Sequence, residues 1–351
     1  MKSVVRYFLV IACVAALAAS VATAQDLQQQ LAKLGHDAAV GYVTPLLSGW
    51  GNDLNSAIYY SADLHSVLGF DVGVKAAMSK FTDADKTYSL SLPSIRITSF
   101  SGVTIPAGTY LKLTAGTNYP ETITANSAVG AKDEVNVKTL GGNATIYNSA
   151  TNQPVGIIPF PANQVILTLP GGFDIGKLGV PMVMPQFDLG LPLGLEVMLR
   201  YVPTISAGDA GKFNYMGFGL RYDIDQWLPV CPVDIAVHFM TQKMNFKSKS
   251  DDDIFSAKAV AYGAEVSKKF LILTLYGGLQ LESSTLSLAS FTGYSPELGQ
   301  SVTVSGFDVK GSDKSRFTVG VRLLLLIVNV QAEYSIAKNP VFGLGLGISF
   351  R

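Results

Sequence analysis

The sequence predicts an all-β protein: a transmembrane antiparallel β-barrel of about 12 strands, within a range of roughly 10 to 14, carrying a large extramembrane insertion. Three observations lead there. Apolar and polar residues alternate with period two through most of the C-terminal half. The N-terminus reads as an export signal. The rest of the chain is hydrophobic, yet no run after residue 24 reaches the ~18 apolar residues that a membrane-spanning helix needs.

The alternation is clearest at the C-terminus. In 327–337 the apolar set is Val328, Val330, Ala332, Tyr334 and Ile336, against Asn329, Gln331, Glu333 and Ser335. In 342–351 Phe342, Leu344, Leu346, Ile348 and Phe350 alternate with Gly343, Gly345, Gly347 and Ser349. Successive side chains of a strand point to opposite faces, so each segment is a strand with one oily face and one polar or glycine face. An aromatic on the oily face at the end of the last strand matches the closing strand of an outer-membrane barrel.

The N-terminus agrees with export. Lys2 and Arg6 form a basic region, Tyr7 to Val21 an apolar one, and Ala22-Thr23-Ala24 a small-residue cleavage site before Gln25. Cleavage after Ala24 leaves Cys231 alone, so no intramolecular disulfide is expected. A lipoprotein acylated at Cys13 fits less well, because Val10-Ile11-Ala12 is a poor acylation motif. The chain has 26 acidic and 26 basic residues, 15% charged in all, and 34 glycines. Mean hydropathy is +0.31. A hydrophobic exported chain without spanning helices satisfies its backbone in lipid by closing a barrel. The balanced charge gives no reason to expect a nucleic-acid partner.

Within 25–54, Leu27, Leu31 and Leu34 have helical spacing, consistent with a lumen plug, a periplasmic helix or a frayed tail. Residues 38–47 are a weak first strand, limited by Pro45. Asn55 to Leu64 and Gly69 to Phe81 form the first clear strand pair. Residues 82–185 are rich in Thr, Asn, Gly and Pro and read as the insertion, with 164–169 able to return as a barrel strand. Regular alternation resumes with Leu193 to Tyr201, Asn214 to Ile224, Val233 to Met240, Lys258 to Val266, Leu271 to Glu282 and Arg316 to Leu323, with a tight turn expected at Ser267-Lys268-Lys269.

Connections near 326, 268 and 229 are short, while those near 298, 250 and 208 are longer or more polar, the short 338–341 turn being an exception on that side. Short turns on one side and long loops on the other is barrel asymmetry, and with the C-terminus in the periplasm the long loops face outward. Tyr201, Tyr222, Trp227, Tyr262 and Tyr334 near strand ends suit interfacial girdles.

Gly343 to Phe350 resembles the barrel-assembly signal that ends many outer-membrane proteins, although Arg351 follows the aromatic. Leu47-Ser48-Gly49-Trp50-Gly51-Asn52-Asp53-Leu54-Asn55-Ser56 and Met184-Pro185-Gln186-Phe187-Asp188-Leu189-Gly190-Leu191-Pro192 resemble an uncharacterised outer-membrane β-barrel family of Bacteroidetes-type bacteria. That resemblance implies a barrel and no known activity. A looser likeness is to FadL-type long-chain fatty-acid transporters, which pair an N-terminal plug with a barrel.

The candidate lumen-lining residues are Asp71, Lys75, Glu196, Arg200, Arg221, Asp223, Asp234, His238, Glu265, Glu282, Arg322 and Glu333. Their mixed signs favour an internal salt-bridge network or a weakly selective pore over a single-sign filter. No catalytic, cofactor or metal residues are expected. Of the three histidines, His36 lies in the N-terminal segment, His65 in a turn and His238 on a polar strand face, and no Gly-x-Ser-x-Gly element accompanies them. Asp251-Asp252-Asp253 reads first as a solvated loop and only second as a weak divalent-cation site. The leading functional expectation is an outer-membrane pore or transporter for small or lipophilic solutes. A non-transporting scaffold with 82–185 as an interaction module is the second, and a rim-located lipid-modifying enzyme around His238 the third. Expected partners are outer-membrane lipid and, through the last strand, the barrel-assembly machinery.

Overall fold

Period-two segments pair edge to edge until the last meets the first. The computed structural model describes residues 35–351 apart from 101, 176–178, 180, 207–210, 229 and 296–299. The export-signal reading and the Leu27–Leu34 spacing lie outside the described residues. A helix α1 (His36–Leu54) comes first, then β1 (Phe70–Ser79). Six strands follow: β2 (Thr87–Ser91), β3 (Ile95–Ile97), β4 (Thr109–Leu113), β5 (Thr122–Asn126), β6 (Val135–Asn148) and β7 (Pro154–Leu169). Next come β8 (Met182–Leu191), β9 (Leu195–Ser206), β10 (Lys212–Asp223), β11 (Asp234–Lys247), β12 (Asp253–Phe270) and β13 (Leu273–Leu288). The chain ends with β14 (Phe291–Ser295), β15 (Gln300–Val304), β16 (Phe307–Lys310), β17 (Ser315–Leu325), β18 (Val328–Ile336) and β19 (Val341–Phe350).

Ten of these strands close a ring in the order β1, β8, β9, β10, β11, β12, β13, β17, β18, β19 and back to β1, with every pairing antiparallel. The closing seam pairs Phe70 with Phe350 and Ser79 with Val341. Ten strands, not about 12, make the barrel, because the extra candidates go elsewhere. Residues 164–169 belong to β7, which pairs with β6 in the separate sheet β3-β4-β6-β7. Asn55–Leu64 forms no strand, although 55–62 are buried. Residues 38–47 are helical: Ala39, Tyr42, Val43, Leu46, Leu47, Trp50 and Leu54 repeat every three to four positions, and that period prevails over Pro45. The expected turn at 267–269 is part of β12. The chain reverses at Leu271 and Ile272, where Leu271 takes φ +55°.

The barrel is oily outside and polar within. Leu279 is 65% exposed, Phe218 49% and Leu346 49%, while inward-facing Glu196 and Arg200 are fully buried. That is the inverse of a soluble barrel, and an apolar belt encircling a molecule marks a lipid-facing surface. Exposed apolar residues continue around the turns near the C-terminal end, with Leu193, Trp227, Leu271 and Leu326 all strongly exposed.

The opposite end carries the long connections. Residues 80–181 hold β2 to β7, arranged as a two-stranded and a four-stranded sheet, so the barrel resumes at Met182 rather than after 185. Helix α1 enters the lumen from this end. His36 packs edge-on against Phe307, and Trp50 stacks on Phe255. Tyr42 donates to the Gly171 carbonyl at 2.9 Å, tying the helix to the insertion.

Candidate functional site

Below α1 the chain does not turn back. Residues 55–69 run on through the lumen to the C-terminal end, where β1 begins beside Phe350. Extended backbone in a closed space must find hydrogen-bond partners, and here the wall's side chains supply them. Arg200 on β9 donates from Nη1 to the Leu54 carbonyl (3.0 Å) and from Nη2 to those of Ser56 (2.9 Å) and Ala57 (2.8 Å). Gln242 reaches the Leu54 carbonyl, Gln280 that of Asn55 and Gln186 that of Ile58. This is why alternation in Asn55–Leu64 produces no strand: its partners are amides and guanidiniums rather than a neighbouring ladder.

Arg316 completes the upper clamp. It is bidentate to Glu282 (2.6 and 2.7 Å), donates to the Asn52 carbonyl (2.9 Å) and touches the Ser56 hydroxyl. Paired carboxylates make a buried guanidinium tolerable. Ala57 N–H donates to Glu333 Oε1 (2.9 Å).

A second cluster lies nearer the C-terminal end. Arg221 donates to Glu196 (2.6 Å), to Glu265 (2.9 Å) and to the Ser61 carbonyl. Each carboxylate then meets a histidine: Glu196 accepts from His65 N–H and lies 2.7 Å from its Nδ1, and Glu265 lies 2.5 Å from His238 Nδ1. His65 Nε2 meets the Ser349 hydroxyl at 3.1 Å. His65 is therefore a buried lumen residue rather than the turn residue expected. His238's other ring nitrogen faces Gln280 at 3.3 Å, and Tyr59 packs on its ring.

Tyr60 organises the third cluster, with the Lys75 ammonium 4.1 Å and the Arg322 guanidinium 4.5 Å from its ring centre. Lys75 donates to Gln331, Arg322 to Asn329, and Asn329 to Asp71. Asp71 stands opposite Asp188 on the next strand. The inward glycines of β19 make room for this cluster, since a Cβ on Gly345 would meet the Gln331 side chain and one on Gly343 that of Glu333.

Of the twelve candidate residues, Asp71, Lys75, Glu196, Arg200, Arg221, His238, Glu265, Glu282, Arg322 and Glu333 are buried in the lumen and belong to these clusters. Asp223 and Asp234 are half-buried at the rim, Asp234 accepting from the Ser267 hydroxyl. Sequence reasoning missed Gln186, Gln242 and Gln280, which share the inward phase but stand outside a list built on charge, and it left out Arg316 although that residue is charged and shares the inward phase with Arg322. It also missed Tyr60 and His65, which come from the threaded segment. The Asp251-Asp252-Asp253 run supplies counter-ions: Asp251 pairs with Lys212 at 2.6 Å and Asp253 with Lys247 at 3.5 Å. Lys212 draws the exposed Asp251 carboxyl below the usual carboxylate range. Among the described residues no group of histidines, cysteines and carboxylates could hold a metal ion.

The model of a family described as "Family of unknown function (DUF6588)" matches residues 1–350. The chain belongs to that family. No curated protein matches. Among solved structures, the chain is similar to a BenF-like porin from Pseudomonas fluorescens Pf-5, at 9% identity over 82% of this chain and 99% of that one, with a TM-score of 0.22. It is similar to the β-domain of the Bordetella autotransporter BrkA at 10% identity, over 81% of this chain and 100% of that one, with a TM-score of 0.29. The transport unit of the Escherichia coli autotransporter AIDA-I gives 9% identity, 91% and 99% coverage and a TM-score of 0.29.

Proposed function

We propose that this protein is an outer-membrane β-barrel closed by its own N-terminal segment, a platform that presents residues 80–181 at the cell surface, rather than an open diffusion pore. The observation that carries the reading is the clamp on residues 52–61. Carbonyls of Asn52, Leu54, Asn55, Ser56, Ala57, Ile58 and Ser61 are each held by a wall side chain, and α1 fills the lumen above them. A solute would have to break this set together.

The apolar belt supports placement in a bilayer, and the last strand, Val341–Phe350, is the element the assembly machinery would engage. The end bearing residues 80–181 then faces outward. The reading assigns no catalytic step to His238, whose side-chain hydrogen-bond partners are Glu265 and Gln280 rather than a hydroxyl or thiol.

Single-channel recording of the purified protein in planar bilayers tests the proposal. The expected result is insertion without steady unitary conductance. A stable open-channel current from the wild-type protein, or solute uptake dependent on it, favours the transport reading, in which the plug moves aside.

A further inference from the structure

Two pairs of lysines stand directly opposite each other on neighbouring strands, and the protein treats them differently. Lys212 on β10 faces Lys247 on β11, and this pair is neutralised by Asp251 and Asp253. Lys243 on β11 faces Lys258 on β12, and no ion pair of either is found among the described residues. Like charges directly opposite on a sheet are destabilising. The row continues: Lys258 pairs with Thr285, and Thr285 with Lys310 on β16. All three lysines are exposed on the outward face of the wall. The carboxylate nearest along the row is Asp308, two residues from Lys310, facing the same way and also exposed.

Below this row the outward surface becomes apolar. Thr285 lies four residues beyond Leu281, about 13 Å along the strand. A groove of about 1000 Å³ there is lined by Tyr262, Leu279, Leu281, Phe317 and Ile336, with Lys338 at its edge. Each of these five apolar or aromatic side chains is at least two-fifths exposed. The row thus stands where phosphates meet the outer edge of an apolar belt, above a groove of a size suited to acyl chains.

We infer that the outward face of β11, β12, β13 and β16 binds an acyl lipid carrying anionic phosphate, the phosphate bridging Lys243, Lys258 and Lys310 and the chains lying in the groove. The inference rests on the membrane reading above. It assigns to a lipid the role of counter-ion that Asp251 and Asp253 play for the neighbouring lysine pair.

Native mass spectrometry of the full-length protein released from detergent tests it, with phosphatidic acid, phosphatidylcholine of the same acyl chains, and inorganic phosphate as probes. Phosphatidic acid is expected to bind at least tenfold more tightly than phosphatidylcholine. The triple substitution Lys243→Gln, Lys258→Gln, Lys310→Gln removes that preference, and the corresponding triple arginine variant keeps it. Equal binding by wild type and the glutamine variant overturns the site. So does displacement of the lipid by inorganic phosphate at equal concentration, which would assign the lysines to free phosphate. Heat-modifiable gel migration of the same samples separates the two readings: a protein that never forms the barrel sinks both, whereas a folded barrel without lipid preference sinks this one alone.

Discussion

Arg200 and Ala57 lie 143 positions apart, yet the Arg200 guanidinium donates to the Ala57 carbonyl at 2.8 Å inside the barrel. The same side chain holds the carbonyls of Leu54 and Ser56, so one wall residue fixes the path of the threaded segment where helix gives way to extended chain. The neighbouring acceptors Gln186 and Gln242 complete its hydrogen bonds.

Replacing that residue releases three carbonyls at once. Arg200→Ala leaves the Ser56 and Ala57 carbonyls buried without their donor, the Leu54 carbonyl keeping Gln242, and breaking a buried charged contact costs about 3–5 kcal/mol. The variant is expected to lose its heat-resistant folded band at a lower temperature than wild type. It should also show intermittent current in planar bilayers. Unchanged migration and silence would mean that the plug is held by α1 alone.

The lumen glycines of β19 predict a packing limit. Gly345→Leu places a branched side chain where the Gln331 amide lies over the backbone, and overpacking of this kind typically costs about 1–3 kcal/mol. Gly345→Leu should fold into vesicles with lower yield than wild type, whereas outward Leu344→Ile should match wild type.

The belt gives a prediction of opposite sense. Leu346 faces outward and is 49% exposed, so a soluble protein would tolerate a charge there. In a bilayer, Leu346→Arg is expected to cost about 2–4 kcal/mol near the midplane. Folding titrations into vesicles measure this; a change under half that size would argue against lipid around β19.

Asp313, in the connection before β17, gives a pH dependence. Burial pushes its carboxyl above the ordinary range, only partly opposed by the Asn339 N–H and by Arg316, and its Oδ2 has no hydrogen-bond partner. The folded state therefore binds this proton more tightly than the unfolded state. Its contribution is fully present below the ordinary carboxylate pKa and is lost as pH rises through the raised one. Denaturant unfolding of wild type against Asp313→Asn should show the wild type losing relative stability as pH climbs out of the acid range. A flat difference would remove Asp313 from the account.

The wall was legible because lipid outside and polar groups inside impose opposite demands on alternate residues. The strands from β17 to β19 show that phase without interruption. The plug was illegible for a related reason. Asn55–Leu64 alternates as a strand does, but in a lumen its backbone partners are Arg200, Gln186, Gln242 and Gln280, and sequence spacing does not reveal whether a carbonyl will meet an amide ladder or a guanidinium. Charge alone located most of the candidate lumen residues. It could not say that Arg221 would join Glu196 to Glu265, because that depends on which strands are neighbours in the closed ring.

The chain threads the lumen from the end bearing residues 80–181 to the end where β19 finishes. Cysteine labelling of intact cells with a membrane-impermeant maleimide tests it most directly, in a Cys231→Ser background carrying either Gly35→Cys or Gln226→Cys. Both positions are exposed, at opposite ends of the barrel. Position 35 is expected to label in intact cells and position 226 only after the outer membrane is permeabilised. Labelling of position 226 alone in intact cells, or protection of both positions until permeabilisation, would contradict it.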